Sequence, residues 1–267
     1  MTLIVKPTLP LSDHVPFDNA TVAFAVDVSG STAGLTLSAE QHFVRSVASL
    51  LSPKSQLMAK ILPWNNIAQS VRGLSQLDTL YSGGYTIPGA IIVDTACRTA
   101  LEQTSLWFLL TDGMVDEQHR KRFAELTAES GLHGTACVTV IFGNPRRGQP
   151  GSCNISVGVS VYAVVPNCLF LFYDIVTHKI MVMQSKGIFK SLLDNAENPV
   201  IDDNTTWESF PRISIEEFKT LVIPPPRKLC ADEIALQDDL IVKFDELWSN
   251  RLSQEQVSKI LSNDEEG

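Results

Sequence analysis

Apolar runs that stop abruptly at polar turns alternate with amphipathic stretches along most of this chain. Val22-Ala23-Phe24-Ala25-Val26 is the first such run, and its lack of polar alternation predicts a strand buried on both faces. Ser38-Ala39-Glu40-Gln41 has the form of a capping box opening a helix through about Leu51, with Phe43, Val44, Val47, Leu50 and Leu51 along one side. Leu57 to Leu62 and Ile67 to Val71 read as short strands, and Pro88 to Ala100 as a helix with proline in its first turn. A strand from Leu106, a helix from about Glu117 to Ser130 and a strand from Ala136 to Phe142 follow. Ile155 to Val165 alternates as a strand does, and Cys168 to Ile175 with Lys179 to Gln184 adds two more strands around a turn at Thr177-His178. This order predicts an α/β fold, a doubly wound and mostly parallel central sheet with helices on both faces.

The pattern changes near residue 194. Asp194 to Trp207 is polar and turn-prone, Ser214-Ile215-Glu216-Glu217 forms a capping box with Ile213 and Phe218 as a staple, and Pro224-Pro225-Pro226 reads as a semi-rigid connector. Apolar positions at Ile234, Leu240, Ile241, Phe244, Leu247 and Trp248 predict an amphipathic helix over Asp232 to Trp248, either docked on the core or offered to a partner groove. Ser253 and Gln256, stapled by Leu252 and Val257, open a further helix. The chain therefore divides into an extended arm over 1–17, an α/β domain over 18–200, and a linker with a C-terminal helical extension over 201–267.

Three strand or helix ends carry chemistry. The first apolar run ends in Asp27-Val28-Ser29-Gly30-Ser31, which brings one carboxylate and two hydroxyls to a loop at the carboxyl end of a strand, where open α/β sheets bind ligands. Tyr81-Ser82-Gly83-Gly84-Tyr85-Thr86 is a glycine-rich loop that leaves the Thr86 hydroxyl near a helix entrance. Leu106 to Leu110 ends in Thr111-Asp112-Gly113, a second carboxylate after a second strand. If these two strands are parallel neighbours, Asp27 and Asp112 converge at one sheet edge. Three hydroxyls and two carboxylates are hard oxygen donors suited to Mg2+, or Mn2+, more than to Ca2+. With only two carboxylates the bound ion stays electrophilic, so a carboxylate from a partner protein can complete its shell.

These residues resemble the von Willebrand factor A domain family and its metal-ion-dependent adhesion site. The family pattern is Asp-x-Ser-x-Ser after the first strand, a threonine in a second loop and an aspartate in a third; Asp27, Ser29, Ser31, Thr86 and Asp112 fill all five places in order. The resemblance runs from about Thr21 to about Gly143. It departs at Pro63-Trp64-Asn65-Asn66, and the stretch from Pro145 to Leu193 has no alignable pattern. It implies a divalent-cation-dependent protein-interaction module or adaptor, not an enzyme, and Tyr85, Met114 and Asp116 stand in the loops that face a partner.

Composition narrows the alternatives. A net charge of -9 with no basic stripe opposes nucleic-acid binding. No run is long enough to span a membrane, and Met1 to Pro16 lacks the apolar core of a secretory signal. Five scattered cysteines, Cys97, Cys137, Cys153, Cys168 and Cys230, suit reduced thiols in an intracellular, cytoplasmic protein. The five histidines have no ligand-like spacing. A haloacid-dehalogenase-like phosphoryl hydrolase also places an aspartate after its first strand, but needs a second carboxylate where Ser29 stands. That hydrolase is the alternative reading, beside a scaffold whose cation site is vestigial and whose C-terminal helices bind the partner.

Overall fold

The computed structural model describes residues 13–145, 150, 153–193, 198, 205–226, 229–230, 232–235 and 241–243. In chain order these form β1 (Val15–Pro16), β2 (Val22–Asp27), α1 (Leu35–Ala48), α2 (Pro53–Met58), β3 (Lys60–Trp64), β4 (Arg72–Gly73), α3 (Ala90–Val93), α4 (Thr95–Glu102), β5 (Leu106–Thr111), α5 (Glu117–Glu129), β6 (Ala136–Gly143), α6 (Ser156–Val164), β7 (Cys168–Asp174), β8 (Ile180–Ser185), β9 (Arg212–Ile213), β10 (Val222–Ile223), β11 (Glu233–Ala235) and β12 (Ile241–Lys243). Eight strands make the central sheet in the order β4-β3-β2-β5-β6-β7-β8-β9. The inner five, β3, β2, β5, β6 and β7, run parallel, and β4 on one side and β8 and β9 on the other join by antiparallel pairing.

Every residue of β2, β5 and β7 is buried, which explains their unbroken apolar runs: helices cover both faces. Phe24, Phe108, Val140 and Leu171 point to one face, against Phe43, Val44 and Val47 of α1 together with Phe189 and Phe218. Their neighbours Ala25, Trp107, Leu109 and Phe170 point to the other, against Leu101 of α4, Phe123 of α5 and Val161 of α6. After β2 the chain adds β3 on one side of it, then returns to add β5 on the other. The parallel order reverses there, so the carboxyl ends of β2 and β5 flank the switch point at which doubly wound sheets open a crevice.

Several sequence expectations change in the structure. Helix α1 starts at Leu35, a turn before the expected capping box, because the Ser38 N–H already bonds the Gly34 carbonyl at 3.1 Å. The helix expected from Pro88 to Ala100 splits at Asp94, whose extended backbone ends α3 and whose carboxylate accepts from the Cys97 N–H at 2.9 Å to cap α4. Leu57 belongs to α2 rather than a strand, and Ile67 to Val71 contributes a single bridge, Trp64 to Ala68. The alternating segment 155–165 is helix α6. It is the crossover between parallel β6 and β7, and Gly158 lets it lie on Phe170, where a Cβ would come 2.2 Å from the ring.

The C-terminal expectation is corrected most. Within Asp232 to Trp248 the described residues are not helical: β11 and β12 pair antiparallel, Glu233 opposite Lys243, with a 3.7 Å ion pair between Lys243 and Asp232. Phe244, Leu247, Trp248 and the Ser253–Gln256 device lie outside the described residues. The capping box at Ser214 and Glu217 does form, and opens the 3-10 turn Ile215–Thr220 instead of an α-helix. This segment packs back on the sheet: Phe218 meets Phe17 and Phe108, and β10 pairs with β1.

Candidate metal centre

Asp27 ends β2 with its side chain fully buried. One carboxylate oxygen accepts from the Thr111 hydroxyl of β5 at 2.6 Å, and the other from the Ser29 N–H at 2.8 Å. The Thr111 hydroxyl in turn accepts from the Gly113 N–H at 3.1 Å, tying the two loops together. Thr32, also buried, donates its hydroxyl to the main-chain oxygens of Asp27 and Ser29 at 3.0 and 2.9 Å. The loop is thereby held so that the Ser29 and Ser31 hydroxyls lie 3.1 Å apart.

The glycine-rich loop is stitched to this one by main-chain bonds. The Gly30 N–H donates to the Gly84 carbonyl at 3.0 Å, and the Gly83 N–H to the Val28 carbonyl at 2.8 Å. Asn65, at the departure from the family pattern, donates its amide to the Gly83 carbonyl at 2.6 Å and accepts at its main-chain oxygen from Ile87. Gly84 has φ of 84°, and a Cβ there would meet the Asn66 side chain at 2.5 Å. Thr86, half-buried, follows two residues on. Asp112, also half-buried, accepts from the Met114 N–H at 3.0 Å, and Gly113 turns the chain with φ of 78°.

Asp27 and Asp112 converge at the switch point as the strand order requires, since Val26 of β2 lies opposite Leu110 of β5. Burial pushes the Asp27 carboxyl up to about 7; the Thr111 and Ser29 bonds oppose that rise, and the nearby Asp112 charge adds to it. Beneath them stands a residue that the sequence reading passed over. Glu40 of α1 is fully buried, neither of its carboxyl oxygens has a hydrogen-bond partner among the described residues, and burial lifts its pKa well above the ordinary range, with the Asp27 and Asp112 charges adding to the rise. The signal was present in the helix phase: Leu37, Glu40, Val44 and Val47 form one stripe, and glutamate interrupts it.

Among the described residues no three His, Cys, Asp or Glu side chains cluster as a metal site would need them to. The candidate set is of another kind, two carboxylates with hydroxyls, and no ion pair among the described residues engages Asp27, Asp112 or Glu40. Hard oxygens around carboxyls that lack a compensating positive charge fit a small divalent cation.

No family model matches the chain. Its sequence is similar to an uncharacterized protein of Acanthamoeba polyphaga mimivirus, 25% identical over 221 residues. That match covers 77% of this chain and 35% of the viral protein, so the chain spans about a third of the relative's length. Among solved structures it is similar to an aerotolerance-related membrane protein from Bacteroides fragilis, at 17% identity and a TM-score of 0.35, over 46% of this chain and 68% of that one. Among the described residues no helix is long and apolar enough to cross a membrane.

The three residues expected to face a partner are all exposed: Tyr85 (81%), Met114 and Asp116. Asp116 sits at the N-cap position of α5 without a side-chain capping bond. Leu35 at the start of α1 and Ile67 and Tyr81 in the loops that follow β3 and β4 are exposed as well. Tyr81, Tyr85 and Met114 thus stand in water on the loops that carry Thr86 and Asp112.

Proposed function

We propose that this chain is a non-enzymatic, Mg2+-dependent protein-interaction module of the von Willebrand factor A type, which accepts Mn2+ and takes an Asp or Glu carboxylate of a partner protein. The observation that carries this reading is the buried Asp27 carboxyl at the switch point, beside the paired Ser29 and Ser31 hydroxyls and under the influence of the Asp112 charge. Asp27, Ser29, Ser31, Thr86 and Asp112 are the residues that would hold the ion. When bound, Mg2+ supplies an electrophilic position for an outside carboxylate oxygen. Thr111 and Thr32 keep Asp27 and the serine loop in one arrangement, so little ordering remains to be done on binding. The exposed apolar side chains around the edge support a protein partner, which can cover them, over a small anion, which cannot. An intracellular, cytoplasmic setting suits the odd number of thiols.

Titration calorimetry of the metal-stripped full chain with Mg2+ and Mn2+, beside Asp27→Ala and Ser29→Ala, tests the site. Binding in the wild type that both variants lose is the expected result. Absence of heat and of any cation-dependent stabilisation in the wild type would overturn it in favour of a scaffold with a vestigial site. Mg2+-dependent release of phosphate from a phosphomonoester would overturn the non-enzymatic assignment.

A further inference from the structure

Glu40 has no part in the five-residue set, yet among the described residues it is the one carboxyl buried with both oxygens unpartnered. It occupies the second turn of α1, on the face turned to the sheet, between Leu37 and the pair Phe43 and Val44. Both of its oxygens are buried without a hydrogen-bond partner among the described residues. A leucine there would continue the apolar stripe, whereas a buried carboxyl without partners costs stability. The elements packed on α1 bring apolar groups to this face, and the charges that bear on Glu40 are those of Asp27 and Asp112. Burial keeps this carboxyl protonated, and the arrival of positive charge at the Asp27–Asp112 edge is the change that would let it ionise.

We propose that Glu40 is a positioning residue of the cation site, a third carboxyl held beneath Asp27 and Asp112 that sets how tightly a divalent cation is retained. The proposal rests on the cation-binding reading above. It also separates the site from a purely two-carboxylate one: Asp27 and Asp112 would hold the ion, and the buried Glu40 would add its charge from within the fold, where no partner can reach it. Outer-shell groups that hydrogen-bond metal ligands change affinity about 10- to 100-fold, and a charge acting on the same ligands through a dry interior is expected on that scale.

The test compares wild type and Glu40→Gln, which keeps the shape and removes the charge, with Glu40→Met as a second variant that supplies an apolar side chain of similar length. Mg2+ and Mn2+ are titrated calorimetrically into the metal-stripped full chain, and urea unfolding is followed in EDTA. Both variants are expected to weaken cation binding about 10- to 100-fold while leaving the cation-free protein at least as resistant to urea as wild type. A Glu40 with only a structural role would move the urea midpoint and leave affinity untouched. Wild-type binding with unchanged affinity in the variants overturns the role of Glu40 alone. A wild type that binds neither ion overturns the five-residue site and this inference together.

Discussion

Replacing Asp27 by asparagine should make the cation-free protein more stable at neutral pH, although it removes the central ligand of the proposed site. The carboxyl is fully buried and its pKa rises from 3.8 to about 7. A folded-state pKa above the unfolded one means that the native state binds the proton more tightly. The associated stability is therefore complete below about pH 4, declines as the pH rises, and is gone above about pH 7. The span corresponds to about 4 kcal/mol, from about 1.4 kcal/mol for each tenfold change. Asparagine keeps an oxygen for the Ser29 N–H but turns an amide toward Thr111, which returns about 1 kcal/mol of that gain. The expected net gain in EDTA at pH 8 is about 3 kcal/mol, with no gain at pH 4. Urea unfolding followed through tryptophan emission measures it, since Trp64 and Trp107 are fully buried. Removing the Asp27 charge also eases the burial of Glu40, so the double variant with Glu40→Gln, compared with Glu40→Gln alone, isolates Asp27. Mg2+ at about 100 times its dissociation constant should restore about 2.7 kcal/mol to the wild type and nothing to the variant. A variant whose stability relative to wild type does not rise from pH 4 to pH 8 would refute the claim that this carboxylate is held against its solvation.

Other outcomes follow from single contacts. Gly113→Ala places a Cβ 1.9 Å from the Asn154 carbonyl oxygen at a φ of 78°, so thermal melting should show a loss of about 2 kcal/mol or more, and Mg2+ affinity should fall as the Asp112 loop moves. Phe218→Ala removes a ring that packs on Phe17 and Phe108, and should cost about 3–5 kcal/mol in urea unfolding; a loss below 1 kcal/mol would show that this segment does not belong to the core. Tyr85→Ala combined with Met114→Ala should shift stability by no more than about 0.5 kcal/mol and leave the calorimetric Mg2+ affinity as it was, because both side chains are exposed. A thiol reagent should modify Cys230 at once and Cys153 slowly, and should leave buried Cys97, Cys137 and Cys168 untouched until the protein unfolds.

The parallel core and its switch point were legible in the sequence because covered strands read as unbroken apolar runs, and Asp27 and Asp112 each interrupt one at its end. What escaped had a tertiary cause. The β-branched residues of 155–165 favour a strand locally, but a parallel β6–β7 pair needs a covering crossover, and only contact with Phe170 reveals why Gly158 stands in it. Spacing alone made 232–248 a helix, whereas β11 is anchored from outside the segment, its Glu233 carbonyl 3.0 Å from the His133 ring and its Glu233 N–H bonded to Cys230. Glu40 was read as part of a helix start because a capping box is a local pattern; its burial depends on where Gly34 begins the helix. Asn65 looked like a departure from the family and proves to be a brace for the Gly83 loop.

The pairing of Val15–Pro16 with Val222–Ile223, reinforced by Phe17 against Phe218, has a consequence for synthesis. A nascent chain released as far as residue 200 carries every ligand of the proposed site and all five parallel strands, yet Phe17 and Phe108 still lack the ring that covers them. The interior closes only when residues 218–223 return to Val15–Phe17, so a premature stop between residue 200 and these positions yields a protein with the candidate ligands assembled and one wall of its interior open to chaperones and proteases.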